Sequence, residues 1–216
     1  MKVLELFAGS RSVGRAAEEL GMQVFSSDIN AFPGIDYVVD ILNFDVNQLP
    51  WTPNVIWASP PCTFFSVASI GHHWNADHTP KSENAEFGVK LVQRTFDIIK
   101  QIETMNPNVK WFCENPRGKL RKLKVMSGLP RTTIWYCQYN DIRAKPTDIW
   151  SNNIFSLFNP NGWVPRSQCF NGNKKCHHEE APRGSQTGTQ GLKGNYNRSK
   201  IPHELCLEIL KSTTND

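Results

Sequence analysis

Short apolar runs alternate with stretches of helical spacing along the first two thirds of the chain. Residues 3–7 form an apolar run that stops at Ala8-Gly9, and residues 12–20 then read as a helix closed by Gly21. Residues 23–27 predict a second strand ending at Asp28, and residues 37–39 a brief third ending at Asp40. Residues 54–58 predict a fourth strand, which the double proline Pro60-Pro61 prevents from continuing. Leu91, Phe96, Ile99 and Ile102 recur at helical spacing within residues 84–105, and Asn106-Pro107 closes that pattern. Residues 110–113 predict a strand leading to Glu114, and residues 131–138 and 148–151 two more.

Strands alternating with helices predict an open α/β sheet, and such sheets bind ligands beyond the carboxyl ends of their strands. Gly9, Asp28, Asp40, Cys62 and Glu114 all fall at such ends, so five distant loops are expected to meet at one crevice. The pattern divides the chain into an α/β domain over residues 1–152, a variable region over 153–197 and a returning helical segment over 198–216. The middle region is rich in Gly, Asn, Pro, Ser and Thr with few apolar runs, the composition of loops held by something other than a core. In the last segment Pro202 is a good first helical residue, and Leu205, Ile209 and Leu210 supply an apolar face.

Composition narrows the class only a little. A chain of 216 residues suits one domain with a small appendage, and 20% charged with 39% hydrophobic residues is ordinary for a water-soluble protein. No apolar run approaches membrane-spanning length, and the first strand starts too early to leave room for a signal peptide. The six cysteines are therefore expected to be reduced, which makes them candidates for catalysis or metal rather than disulfides. A net charge of +4 permits an anionic partner without demanding one.

Three local motifs carry the chemistry. In Phe7-Ala8-Gly9-Ser10 a glycine just past the first strand lets backbone approach a ligand, and the following helix aims N–H groups at negative charge. Its spacing is not that of the dinucleotide fingerprint, which disfavours nicotinamide chemistry. Pro60-Pro61-Cys62 holds a thiol on a stiff loop at the mouth of the sheet, and Glu114-Asn115-Pro116 follows the fifth strand.

In order and approximate spacing these motifs resemble those of the DNA cytosine carbon-5 methyltransferases. The resemblance covers roughly residues 1–151 and returns near Gly194-Asn195 and the helix from Pro202. It implies a Rossmann-like methyltransferase sheet with a small loop-rich insertion, and S-adenosylmethionine as methyl donor. It further implies Phe7 against the adenine, Ala8-Gly9 along the methionine part, Asp28 on the ribose and Asp40 on the adenine amino group. Ser10, Ile29, Ile41, Pro60 and Asn195 complete the implied cofactor pocket. The chain departs from the family pattern at Arg11 (usually glycine), Thr63 (usually glutamine), Pro116 (usually valine) and in a loose match at Gln138 and Arg143-Ala144-Lys145.

The reaction implied explains the residue types. Cytosine carbon-5 is a poor nucleophile, and adding a thiolate at carbon-6 breaks the ring's aromaticity and makes carbon-5 enamine-like. Cys62 fits the nucleophile; a free thiol has a pKa of about 8.5, so the site must stabilise its anion. Glu114 fits an acid at ring nitrogen-3, since burial beside an apolar strand raises a carboxyl pKa. The resemblance gives the ring oxygen to Arg143 or Lys145, with Arg143 preferred. A duplex hides the target atoms, so the base must be flipped out, and Phe64, Phe65 and His72-His73-Trp74 are equally placed to line that pocket or to be core.

The variable region is short for independent folding, and small modules usually need a staple. Cys169, Cys176, His177 and His178 are candidate zinc ligands, although no second close cysteine pair accompanies them. Ser66, Arg166, Lys174, Lys175, Arg183 and Arg198, with Lys193 and Lys200, are candidate contacts to nucleic acid. The expectation is a monomeric, stand-alone enzyme of bacterial or bacteriophage type, cytoplasmic in a bacterial host, acting on DNA and not on a membrane. The alternatives are RNA or a free cytidine nucleotide as substrate, or a non-catalytic relative that binds cofactor or DNA.

Overall fold

The computed structural model describes residues 1–67, 70–180, 192 and 194–214. Among these, seven strands form one sheet: β1 (Lys2–Leu6), β2 (Gln23–Asp28), β3 (Tyr37–Val38), β4 (Val55–Ala58), β5 (Lys110–Pro116), β6 (Arg131–Trp135) and β7 (Pro146–Ser151). Their order is β3-β2-β1-β4-β5-β7-β6. Strands β1 to β5 pair in parallel, while β7 runs antiparallel to both β5 and β6. Chain order reverses between β1 and β4, so the crevice beyond their carboxyl ends is a topological switch point, the usual ligand site of such sheets. This is an open, mostly parallel α/β sheet of the Rossmann-like kind.

Alternation along the strands builds two cores. Leu4, Leu6, Ile56, Ala58, Trp111 and Cys113 face the long helix α3 (Glu83–Met105), which buries Leu91, Val92, Ile98, Ile99 and Ile102 against them. Val3, Val55, Trp57, Phe112 and Ile149 face the other way. They meet α1 (Ser12–Glu19) and the C-terminal helix α5 (His203–Ser212) through Val13, Ala16, Ala17, Leu205, Ile209 and Leu210. Two short helices, α2 (Ile70–His73) and α4 (Asn195–Ser199), lie outside these layers. The second core places Glu5 and Glu114 on the face that α1 and α5 cover, by strand alternation from Val3 and Phe112.

Two expected strand ends shift, for physical reasons. The strand expected over residues 131–138 stops at Trp135: Tyr136–Tyr139 coils into a 3₁₀ turn that ends at Asn140 in the left-handed region, φ 59°. Strand β5 runs beyond Cys113, because Glu114, Asn115 and Pro116 pair with Ile149, Asp148 and Thr147 of β7. Pro116 can close the strand because a terminal position does not need its N–H. Glu114 is thus fixed by sheet pairing and not carried on a loop. Phe65 and Trp74 are core residues, their rings 5.9 Å apart, and Phe64 packs edge-on against His73 at 6.0 Å.

Candidate active site

The loop after β1 is built on left-handed backbone at Phe7 (φ 57°), Gly9 (φ 48°) and Arg11 (φ 52°). Only glycine adopts that region freely, so Phe7 and Arg11 are held there by their surroundings. Asp28 supplies part of the hold, its Oδ2 accepting from Gly9 N at 2.9 Å while Oδ1 accepts from Asn30 N at 2.9 Å. Arg11, which stands where the family has glycine, donates Nε to Ser26 Oγ (3.1 Å) and pairs Nη2 with Glu18 Oε1 (2.5 Å). Beneath the loop lies Glu5, 3% exposed, accepting from Val13 N, Gly14 N and Ser26 Oγ at 3.1–3.2 Å. Burial raises its pKa from 4.5 to about 7 against those hydrogen bonds. Glu5 was not among the expected residues; a carboxylate inside the run Val3-Leu4-Glu5-Leu6 is the signal that marks it.

The cysteine loop is pinned from the strand that carries Glu114. Asn115 Nδ2 donates to Pro60 O at 2.8 Å, and Lys119 N donates to Phe65 O at 2.7 Å. Gly118 allows that approach, since a Cβ there would lie 2.2 Å from Phe65 O. Trp74 Nε1 donates to Phe64 O at 2.7 Å, and Cys62 O accepts from Phe65 N and Ser66 N at 3.0 Å. Cys62 is half-buried at the start of this short 3₁₀ turn, with Pro61 capping it. No two of the six cysteines form a disulfide. Cys113 and Cys206 are sealed in the core, where burial pushes both thiols well up and makes them inert.

Glu114 is 6% exposed and surrounded by polar partners. Tyr136 O–H donates to its Oε1 at 2.9 Å, and the Ser59 hydroxyl, itself accepting from Trp57 Nε1 at 2.8 Å, bonds the same carboxyl. Burial raises the Glu114 pKa, opposed by the charge of Lys145, by these hydroxyls and by Arg143. Lys145 Nζ lies 4.7 Å from the Tyr136 ring centre. Tyr136 was not anticipated: it sits in an apolar run that reads as strand, and only the turn after β6 directs its hydroxyl to Glu114.

Cys62, Glu114 and Lys145 line one cleft with Phe7, Ala8, Ser10, Pro60 and Pro61, roofed by Ser199 and Ile201. Ile201 N donates to Ser12 Oγ at 3.2 Å, which ties that roof to the start of α1. The cleft holds about 90 Å³, the share of roughly three water molecules. A larger groove of about 620 Å³ lies on the far side of Arg143, lined by Asp141, Ile142 and His203 but by neither Cys62 nor Glu114. Arg143 faces that groove, its guanidinium bonded to Asp141 (2.5 and 2.8 Å) and to Lys200 O (2.9 Å).

The remaining expected residues are distributed as follows. Asp40 caps the turn after β3 by accepting from Leu42 N at 2.9 Å, Ile41 is core, and Ile29 is 63% exposed beside Asp28. Arg166, its side chain 41% exposed, stacks over Tyr139 and bonds Glu204, Glu208 and Gln138 O. Lys174, Lys175 and Lys200 are exposed. Arg183 and Lys193, and the side chains of Asn195 and Arg198, lie outside the described residues. Cys169, Cys176 and His178 come together with Cys137, whereas exposed His177 lies apart from that group.

The donor set suits S-adenosylmethionine. Carboxylates at the ends of two neighbouring strands match hydroxyl and amino groups, Asp28 Oδ2 keeps acceptor capacity beyond its one bond from Gly9 N, and exposed Ile29 offers an apolar surface for a ring. Fold and site together set a half-buried cysteine and a buried glutamate in one cleft at the switch point of an α/β sheet.

No family model matches the chain. A curated relative, the Frog virus 3 (isolate Goorha) "probable DNA (cytosine-5)-methyltransferase", is 28% identical over 229 residues, covering 97% of this chain and 99% of the relative. Among solved structures, the S. pombe Dnmt2 methyltransferase is similar at a TM-score of 0.49 with 13% identity, over 74% of this chain and 52% of that one. A Spodoptera frugiperda DNMT2 mutant gives 0.45 with 18% identity, over 77% and 55%. The chain spans about half the length of these two structures. No helix among the described residues is long and apolar enough to cross a membrane.

Proposed function

We propose that this protein transfers a methyl group from S-adenosylmethionine to carbon-5 of cytosine in DNA through a covalent adduct at Cys62. The observation that carries the reading is the shared cleft of Cys62, Glu114 and Lys145 with the loop Phe7–Ser10 at the switch point of the sheet. Phe7, the Ala8-Gly9 backbone, Asp28 and Asp40 would hold the cofactor, which supplies an electrophilic methyl carbon when bound.

The chain's own groups do the rest. Cys62 Sγ forms a bond to carbon-6, and the displaced π electrons raise the nucleophilicity of carbon-5. Glu114, kept protonatable by burial, gives or shares a proton at nitrogen-3, and its carboxyl discriminates the exocyclic amine of cytosine from the carbonyl of thymine. Lys145 lines the cleft and Arg143 is engaged outside it, so Lys145 is the better partner for the ring oxygen. Once carbon-5 carries the methyl group, its proton passes to a water molecule, the C–H electrons restore the carbon-5–carbon-6 double bond, and the Sγ–carbon-6 bond breaks to return the thiolate. The cleft of about 90 Å³ is smaller than a typical ligand pocket of roughly 300–1,000 Å³, so the Cys62 loop or the Ser199–Ile201 roof must shift to admit a flipped base.

DNA is favoured as substrate by the name of the viral relative, and the exposed Lys174 and Lys175 supply positive charge suited to phosphates. The test is incubation with labelled S-adenosylmethionine and a 5-fluorocytosine duplex, followed by denaturing electrophoresis. Fluorine cannot leave as a proton does, so a methyl-labelled covalent band is expected with the wild type and none with Cys62→Ala. No band from a protein that binds the cofactor would overturn the reading, and trapping only on the matching RNA or nucleotide would move the substrate.

A further inference from the structure

The geometry points to a structural zinc site made by Cys137, Cys169, Cys176 and His178, which clips the variable region to the connection between β6 and β7 that presents Tyr136 and Lys145. The four ligand atoms all lie within 4.8 Å of one another. Cys169 Sγ and His178 Nδ1 are 3.8 Å apart, close to the ~3.6 Å edge of a tetrahedron with a Zn–S bond of about 2.3 Å and a Zn–N bond of about 2.0–2.1 Å. Three sulfurs and one imidazole nitrogen form a closed four-coordinate set that selects zinc as a structural metal.

Local folding brings the ligands together. Asn173 N donates to Phe170 O, Cys176 N donates to Asn173 O, and Gly172 turns left-handed at φ 80°, so the segment doubles back and Cys176 meets Cys169. Cys137 arrives from the 3₁₀ turn after β6. Around the sulfurs stand amide donors of the kind that orient metal thiolates: Gln138 Nε2 to Cys137 and Cys176 Sγ at 3.8 Å each, and Asn173 Nδ2 to Cys169 Sγ at 3.4 Å. Buried cysteines alone often serve as small apolar fillers, and Trp135 and Ala144 do pack here. An imidazole nitrogen turned into three sulfurs is not explained that way.

The region also needs such a clip. Among its described large apolar side chains Leu157 is 94%, Phe158 99% and Phe170 60% exposed, while Trp163 is buried against α5, so the described loops have little core of their own. The clip would reach the candidate active site through two bonds of backbone order. Tyr136, next to Cys137, donates its N–H to Lys145 O at 3.2 Å, and Glu179, next to His178, donates its N–H to Ile142 O at 2.9 Å.

The test is the zinc content of wild-type protein purified without added metal, with cobalt(II) replacement as a direct view of coordination. About one zinc per chain, thiolate-to-cobalt charge-transfer bands on replacement, and at least tenfold loss of metal in Cys176→Ser and His178→Ala are expected, with His177→Ala unchanged. Folded wild type, judged by its thermal transition, that holds no zinc and gives no thiolate–cobalt spectrum would overturn the site. Equal metal loss in His177→Ala and His178→Ala would overturn the ligand assignment. Cys62→Ala should keep full zinc, so this outcome is independent of whether the catalytic reading holds.

Discussion

The crevice at the ends of β1, β4 and β5 and the loops of residues 153–180 are held by different means. In the crevice, backbone pairing does the positioning: Glu114 is locked into register between Ile149 of β7 and the end of β4, and Asn115 fastens the cysteine loop to the same strand. In the variable region, side chains do it. Trp163 is buried in the α5 core with Nε1 donating to Glu208 Oε1 at 3.0 Å, Arg166 bridges Glu204 and Glu208, and the Cys/His group closes the far end. The difference teaches where tolerance to change should lie. Sheet-borne groups can be altered chemically without losing their place, whereas the loops depend on a few individual side chains.

The sharpest way to break that comparison is Glu114→Gln. The amide is nearly isosteric and can still accept from Tyr136, and the sheet pairing of residue 114 is untouched. Turnover is expected to fall by roughly 10²–10⁴, the range for losing a positioned acid, while the thermal midpoint and the dissociation constant for S-adenosylmethionine stay nearly constant. A comparable loss in cofactor affinity, measured by calorimetry, would show that Glu114 supports the pocket and not the chemistry.

A smaller effect tests how the loop after β1 is underpinned. Glu5 has its carboxyl pKa raised by burial from 4.5 to about 7, so the folded protein binds that proton more tightly than the unfolded chain. The resulting stabilisation is complete below about pH 4.5 and is lost as pH rises through about 7, amounting to about 3 kcal/mol across that window. Glu5→Gln removes the titration, so denaturant melts between pH 5 and 7.5 should show a flatter dependence than wild type. An unchanged slope would mean that the amides of Val13 and Gly14 hold the carboxyl ionised at every pH tested.

Much of the fold is legible in the sequence because buried parallel strands are near-continuous apolar runs, as at Val55-Ile56-Trp57-Ala58, and their ends are punctuated by Gly9, Asp28 and Pro60-Pro61. That punctuation also gathers the candidate site, since residues ending neighbouring strands must meet. Tyr136 and Cys137 are opaque for the converse reason. They extend an apolar run that looks like strand, and their roles arise only when the chain coils at residue 136 and sends one side chain to Glu114 and the next toward Cys169. The antiparallel course of β7 and the inward turn of Arg143 to Asp141 are likewise set by partners distant or unmarked in sequence.

The smallest expected effect is the one most specific to the contrast between the two regions. Leu157 and Phe158 form the tip of a turn whose base is closed by the backbone bonds of Phe155 N to Trp163 O (2.9 Å) and Trp163 N to Asn153 O (2.7 Å). Because both tip side chains are almost wholly in solvent, replacing them with serine removes no buried apolar area, and the change in unfolding free energy should stay within about 0.5 kcal/mol. Trp163→Ala, a few residues away, deletes a buried ring together with its hydrogen bond to Glu208 and should cost about 3–5 kcal/mol. Urea melts of the two variants measure the ratio. If Leu157→Ser and Phe158→Ser were as damaging as Trp163→Ala, the tip would have to be buried in the folded protein, and the region would possess the core that its exposed side chains deny.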